Sequence, residues 1–97
     1  MPFVMTQGLP FDRTTISQHV PIASGVYGLY RSTLLIYVGE SNDLRHRLAE
    51  HLTEVGTCIE QCGASHFVYE LVDARARIAR QCTLIRELKP KCNNHME

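Results

Sequence analysis

No stretch of this chain approaches the roughly 20 consecutive apolar residues that a membrane-crossing helix needs. The opening MPFVMTQGLPFDR has neither the basic start nor the long apolar run of a secretory leader. The expected compartment is therefore the cytoplasm, with no membrane partner. Net charge is lacking too: ten basic side chains cancel ten acidic ones, which argues against a protein that coats nucleic acid through bulk charge alone. There is no internal repeat and no low-complexity segment, so a fibrous repeat or a disordered chain is not suggested. Cysteine is limited to Cys58, Cys62, Cys82 and Cys92, and in a cytoplasmic protein these are expected to be free thiols. At 97 residues the chain has room for one domain, spanning 1–97, whose modest core needs neither metal nor disulfide to form.

Within that frame the composition, 44% hydrophobic and 21% charged, is that of an ordinary globular protein. Charge is unevenly placed. Arg75, Arg77, Arg80, Arg86, Lys89 and Lys91 face only Asp73 and Glu87 in the same segment, so the C-terminal third can meet phosphates or simply form a solvated helix surface.

Asp12 or Thr14 is suited to cap a short helix running through Gln18. GVYGLYR (25–31) and LLIYVG (34–39) are β-rich runs split by Ser32 and Thr33, which reads as a hairpin. Ser41, Asn42 and Asp43 then precede LRHRLAEHLTEV, where Leu44, Leu48, Leu52 and Val55 recur at helical spacing. Gly56 suits the end of that helix, the stretch through Gly63 reads as loop, and HFVYELV (66–72) is a third strand. Asp73 opens a last helix with Ala74, Ile78, Ile85 and Leu88 as its apolar stripe, and Pro90 stops it near Leu88.

Tyr27 and Tyr37 stand on adjacent strands beside Gly25, Gly28 and Gly39. Glycine weakens a strand and hints at a close backbone approach, although the hairpin alone fits half-buried tyrosines with wet hydroxyls. Arg47 and His51 share a helix face at the edge of the leucine stripe, where snorkelling is the ordinary role. Gln81 falls within the apolar stripe of the last helix, either as a core amide satisfied by backbone or as part of a site.

Gly25-Val26-Tyr27, Tyr37-Val38-Gly39, Arg47 eight residues after Gly39, and Pro90-Lys91-Cys92-Asn93 together resemble the GIY-YIG nuclease superfamily, over residues 25–94. That family includes excision-repair incision subunits, homing endonucleases and some restriction enzymes. The resemblance implies an α/β (α+β) domain with a small three-stranded antiparallel sheet flanked by helices. It also implies hydrolysis of DNA phosphodiester bonds with Mg²⁺ or Mn²⁺. Carried over by position, Tyr27 lies next to the attacking water as general base or relay, and Tyr37 hydrogen-bonds near the same phosphate. Arg47 is the cation that would lower a tyrosine pKa from its usual value of about 10 and fork onto the phosphate. His51 would take the proton from Tyr27, and Asn93 would orient active-site groups. Gln81 occupies the position of the family's metal-binding glutamate. A neutral amide is a poor ligand for a hard divalent cation, and a natural or an engineered replacement there would read the same.

Arg45, Arg80, Lys89 and Lys91 are the basic residues expected to touch phosphates. DNA is the expected partner, with a second copy of the chain or a separate targeting protein supplying specificity. Two other readings stand beside the nuclease: a nucleic-acid-binding module of the same fold that does no chemistry, and a zinc site built on Cys58, Cys62 and His66 with Cys82 and Cys92 later in the chain.

Overall fold

The computed structural model describes Phe3 and residues 8–96. In chain order the elements are β1 (Leu9–Pro10), α1 (Arg13–His19), β2 (Gly25–Arg31), β3 (Leu34–Ser41), α2 (Leu44–His51), α3 (Cys58–Cys62), β4 (His66–Leu71), α4 (Arg77–Leu88) and a 3₁₀ segment (Lys91–Met96). The sheet is antiparallel throughout, with strand order β1-β4-β2-β3. It therefore has four strands where three were expected. The added strand pairs only Leu9 with Phe67 and Pro10 with His66, and so short a run carries no alternation that a sequence reading could detect.

β2 is flanked on both sides and nearly all buried, and the sheet packs on both faces. One face holds Ile16, Tyr27, Leu29, Ile36, Leu44, Leu48 and Phe67, covered by α1, α2 and α3. The other holds Val26, Val38 and Val68, covered by Leu84, Ile85 and Leu88 of α4. This double burial explains why GVYGLYR and LLIYVG read as nearly continuous apolar runs.

The β2–β3 ladder slips by one residue. Arg31 pairs with Leu34 and Tyr30 with Leu35, but Leu29 pairs with Tyr37, so Ile36 is the extra residue of a bulge. Had the first register continued, Tyr37 would stand opposite Gly28 and point away from Tyr27, because successive side chains alternate faces. The bulge puts both tyrosines on the same face.

Three features differ from expectation. α2 ends at His51, and Val55 is 88% exposed rather than part of the core. The stretch expected to be loop contains α3, whose Thr57 side chain accepts from the Glu60 N–H at 3.1 Å and whose end is set by Gly63 in the left-handed region. Asp73 caps only a turn, accepting from the Arg75 N–H at 2.9 Å, and α4 starts at Arg77. Ala74 and Ile78 are consequently exposed, and the inward face of α4 runs through Leu84, with Gln81, Ile85 and Leu88 half-buried beside it.

The cysteines also differ from the expected free thiols. Cys58 and Cys92 form a disulfide joining α3 to the 3₁₀ segment, with Cα atoms 5.7 Å apart. The helical placement of Cys58 is what brings it to Cys92. Cys62 and Cys82 are free. Among the described residues, no helix is long and apolar enough to cross a membrane.

Candidate active site

Asp43 caps α2, its carboxylate accepting from the His46 N–H at 3.0 Å. Leu44 and Leu48 anchor the helix in the core, and this sets Arg47 and His51, one turn apart, over the end of the β2–β3 hairpin. There the Tyr27 hydroxyl lies 2.6 Å from His51 Nε2, and His51 Nδ1 lies 2.8 Å from Glu54 Oε1. The rings of Tyr27 and Tyr37 are 6.2 Å apart, and those of Tyr37 and His51 5.5 Å.

These distances fix the proton positions. Burial pushes the His51 pKa down, against the opposing pull of Glu54, so the ring is neutral near pH 7. A carboxylate only accepts, so Nδ1 carries the hydrogen toward Glu54 and leaves the Nε2 lone pair for the Tyr27 hydroxyl. Tyr27 itself is 1% exposed. Burial, with Tyr37 adding to it, drives its pKa well above the usual phenol value, and the Arg47 guanidinium pulls the other way without prevailing. The expectation that Arg47 would make Tyr27 acidic is therefore corrected. Tyr27 stays protonated, and His51 is placed to accept its proton. Tyr37 shifts upward for the same first reason.

A cleft of about 150 Å³ opens beside this chain of groups, lined by Tyr37, Arg47, His51, Glu54, Cys58 and Cys92. The Arg47 guanidinium makes long contacts to Glu50 (3.3 Å) and Glu54 (3.4 Å). Pairs this long and partly wet contribute little, which leaves its fork able to turn to an anion in the cleft.

Gly39 stands directly opposite Tyr27 in the ladder. A Cβ there would collide with the Tyr27 hydroxyl and ring, so the glycine provides the seat for the tyrosine ring.

Asn93 acts from behind the sheet edge. Its Oδ1 accepts from the Val38 N–H at 2.8 Å and its Nδ2 donates to the Val38 carbonyl at 3.0 Å. The amide thus pairs with edge strand β3 as another strand would, holding the residue between Tyr37 and Gly39. This is a positioning role.

The remaining expected residues are elsewhere. Gln81 does not line the cleft; it is half-buried on α4, which packs against the other face of the sheet. Arg80 forks onto Glu70 (2.8 and 3.0 Å), and Arg77 donates to Glu40 at 2.5 Å. Arg45 donates to the Val20 carbonyl at 2.7 Å and lines a separate cleft with Asp43 and His46. Lys89 and Lys91 are exposed on either side of Pro90. Glu54 was missed by sequence reading, although its place three residues after His51 is a helical-neighbour signal.

No protein-family model matches the chain. It is 28% identical to UvrABC system protein C of Dichelobacter nodosus over 93 residues, an alignment covering 89% of this chain and 15% of that protein. Among solved structures it is similar to the GIY-YIG N-terminal endonuclease domain of UvrC from Thermotoga maritima. A tyrosine-to-phenylalanine mutant of that domain, bound to its catalytic divalent cation, superposes with a TM-score of 0.73 at 26% identity, covering 84% of this chain and 92% of that one. The magnesium-bound form gives 0.72 at 25% identity, covering 84% and 93%.

The chain belongs to the GIY-YIG superfamily. Tyr37, Arg47 and His51 line one cleft here, with Tyr27 buried beside it; the cation-binding half is another matter. Mg²⁺ is usually held through one or two carboxylates, whose charge a neutral amide does not supply. Gln81 supplies a neutral amide, and the acidic groups facing α4, Glu40 and Glu70, are already held by Arg77 and Arg80. Gln81, Glu40 and Glu70 as they stand do not suit such a cation, and the carboxylate that lines the cleft is that of Glu54.

Proposed function

We propose that this chain is the catalytic domain of a metal-dependent DNA endonuclease, with its proton-transfer half complete and its metal half disabled at Gln81. The observation that carries this reading is the Tyr27–His51–Glu54 chain of hydrogen bonds, at 2.6 and 2.8 Å, alongside Arg47. Three groups in this order suit removal of a proton from an attacking water. Tyr27 takes that proton while passing its own to His51 Nε2, and Glu54 stabilises the imidazolium that forms. A buried tyrosine that is hard to ionise fits this coupled transfer, because no free phenolate has to exist. Arg47 meets the phosphate through its fork and offsets charge building there. The active form would use Mg²⁺ or Mn²⁺ bound by a glutamate at position 81. A metal supplying several kcal/mol accounts for about a thousandfold in rate.

The test is Gln81→Glu, assayed for Mn²⁺ binding by titration calorimetry and for nicking of supercoiled plasmid. The glutamate form is expected to bind the ion and nick, with the original chain at least about a thousandfold slower. A Gln81→Glu protein that binds metal yet never nicks plasmid or branched DNA, even in molar excess, overturns the nuclease reading.

Gln81 itself favours a second reading, a nucleic-acid-binding domain of the same fold that does no chemistry. In that case Arg47→Ala should weaken DNA binding and flatten its salt dependence by about one phosphate contact. Absence of any salt-dependent affinity in the original chain would exclude it.

A further inference from the structure

Three sulfurs converge at one end of the cleft. The Sγ atoms of Cys58, Cys62 and Cys92 all lie within 4.8 Å of one another. A disulfide between Cys58 and Cys92 uses only two of them, yet Cys62 Sγ stands 3.9 Å from Cys92 Sγ. Two thiolates bound to one tetrahedral zinc, each at about 2.3 Å, are about 3.8 Å apart, so this pair already has the spacing of co-ligands. Cys58 and Cys62 lie one turn apart on α3 and share a face. Cys92 is buried on the facing segment. Neither His66 nor Cys82 belongs to the group: both are exposed, and His66 Nδ1 meets Ser65. The ligand set is thus different from the one that residue spacing suggested.

We propose that Cys58, Cys62 and Cys92 form a three-thiolate site for a soft cation of the Zn²⁺ class, filled when the Cys58–Cys92 bond is reduced. Reduction by a dithiol moves two electrons and two protons onto the sulfurs, breaks the bond and leaves the dithiol as its own disulfide. Metal binding then expels the thiol protons. To reach co-ligand spacing the Cys58 sulfur has to move away from Cys92 and somewhat closer to Cys62, from which it is no more than 4.8 Å, a shift that a side-chain rotation of Cys58 can supply. The fourth position faces the cleft, since Cys58 and Cys92 line it, and solvent can fill it there. Disulfide and metal are alternative states of one site, and both tie α3 to the segment carrying Asn93. This inference does not depend on nuclease activity.

The test uses the whole chain, freed of metal with a chelator and reduced without oxygen by a phosphine, then titrated with Co²⁺ and back-titrated with Zn²⁺. The expected result is one ion per chain with a thiolate-to-cobalt charge-transfer band, bleached by Zn²⁺. The band should vanish in Cys62→Ser, return in weaker form in Cys62→His, and survive in Cys82→Ser. The oxidised protein should show none. Cys62 is the informative position because its replacement leaves the disulfide pair intact, and circular dichroism of the reduced variant checks that it is folded. No charge-transfer band in the folded, reduced original chain overturns the proposal. So does a band that persists in Cys62→Ser, and so does one lost in Cys82→Ser, which would place the metal between molecules.

Discussion

Replacing Asn93 with alanine removes both side-chain hydrogen bonds to Val38, at 2.8 and 3.0 Å. Val38 is fully buried on edge strand β3, so no neighbouring strand replaces what is lost. Each stranded backbone group costs about 1–3 kcal/mol, the lower figure applying where water enters the space left by the amide. The expected loss is about 2–4 kcal/mol, a large part of the roughly 5–15 kcal/mol available to a domain of this size. At about 4–8 °C per kcal/mol the melting temperature should fall by roughly 10–30 °C. Urea denaturation followed by circular dichroism should show a lower midpoint with an unchanged slope, because the same surface is exposed. Asn93→Asp is the sharper variant: it keeps an acceptor for the Val38 N–H but turns an oxygen toward the Val38 carbonyl. Its loss should match or exceed that of alanine. Measuring oxidised and reduced protein separates Asn93 from the adjacent disulfide. A change below about 0.5 kcal/mol in both states, within the usual range for surface substitutions, would refute the idea that this amide holds the strand.

Other outcomes can be checked on the same protein. In a Gln81→Glu background, His51→Asn should lower the nicking rate by about a hundredfold or more, since the acceptor for the Tyr27 proton is gone; an unchanged rate in plasmid assays would remove His51 from the proton path. Because burial lowers the His51 pKa, the unfolded chain binds more protons below about pH 6.5. Stability should be complete above that pH and fall as pH drops through the folded-state value, and His51→Asn should lose this dependence in urea titrations. Tyr27 carries the opposite sign. Its raised pKa leaves it protonated while the unfolded tyrosine ionises, so stability should fall as pH rises past about 10, less steeply in Tyr27→Phe. Gly39→Ala should destabilise by about 1–3 kcal/mol, read from urea midpoints, because the added methyl meets the Tyr27 ring.

The fold was largely legible because its two central strands and α2 announce themselves: Gly25–Arg31 and the Asp43 cap lie where the residues put them, and the second strand, expected at 34–39, runs two residues further to Ser41. Illegible features depended on contacts. The bulge at Ile36 decides which face Tyr37 takes, and the side-chain pattern does not reveal it. α3 is five residues long, too short to display periodicity, although Thr57 and Glu60 have the spacing of a capping pair. Missing α3 meant missing the disulfide and the sulfur trio. Tyr27, Tyr37, Arg47 and His51 were legible as a site only together, since each alone suits a structural role. Glu54 was hidden because α2 was read through to Val55, making it one more polar helix residue instead of the outer end of a hydrogen-bond chain.

The seat that Gly39 makes for Tyr27 joins two triplets usually read as separate signatures. One supplies a ring and the other the space for it, so position 39 cannot enlarge while the ring stays in place. A lineage that fills position 39 first must displace the ring from His51, whereas one that first shrinks Tyr27 leaves position 39 open to larger residues. The order of substitution along any descent from this sequence is therefore constrained by geometry at one cross-strand pair, even where no chemistry is under selection.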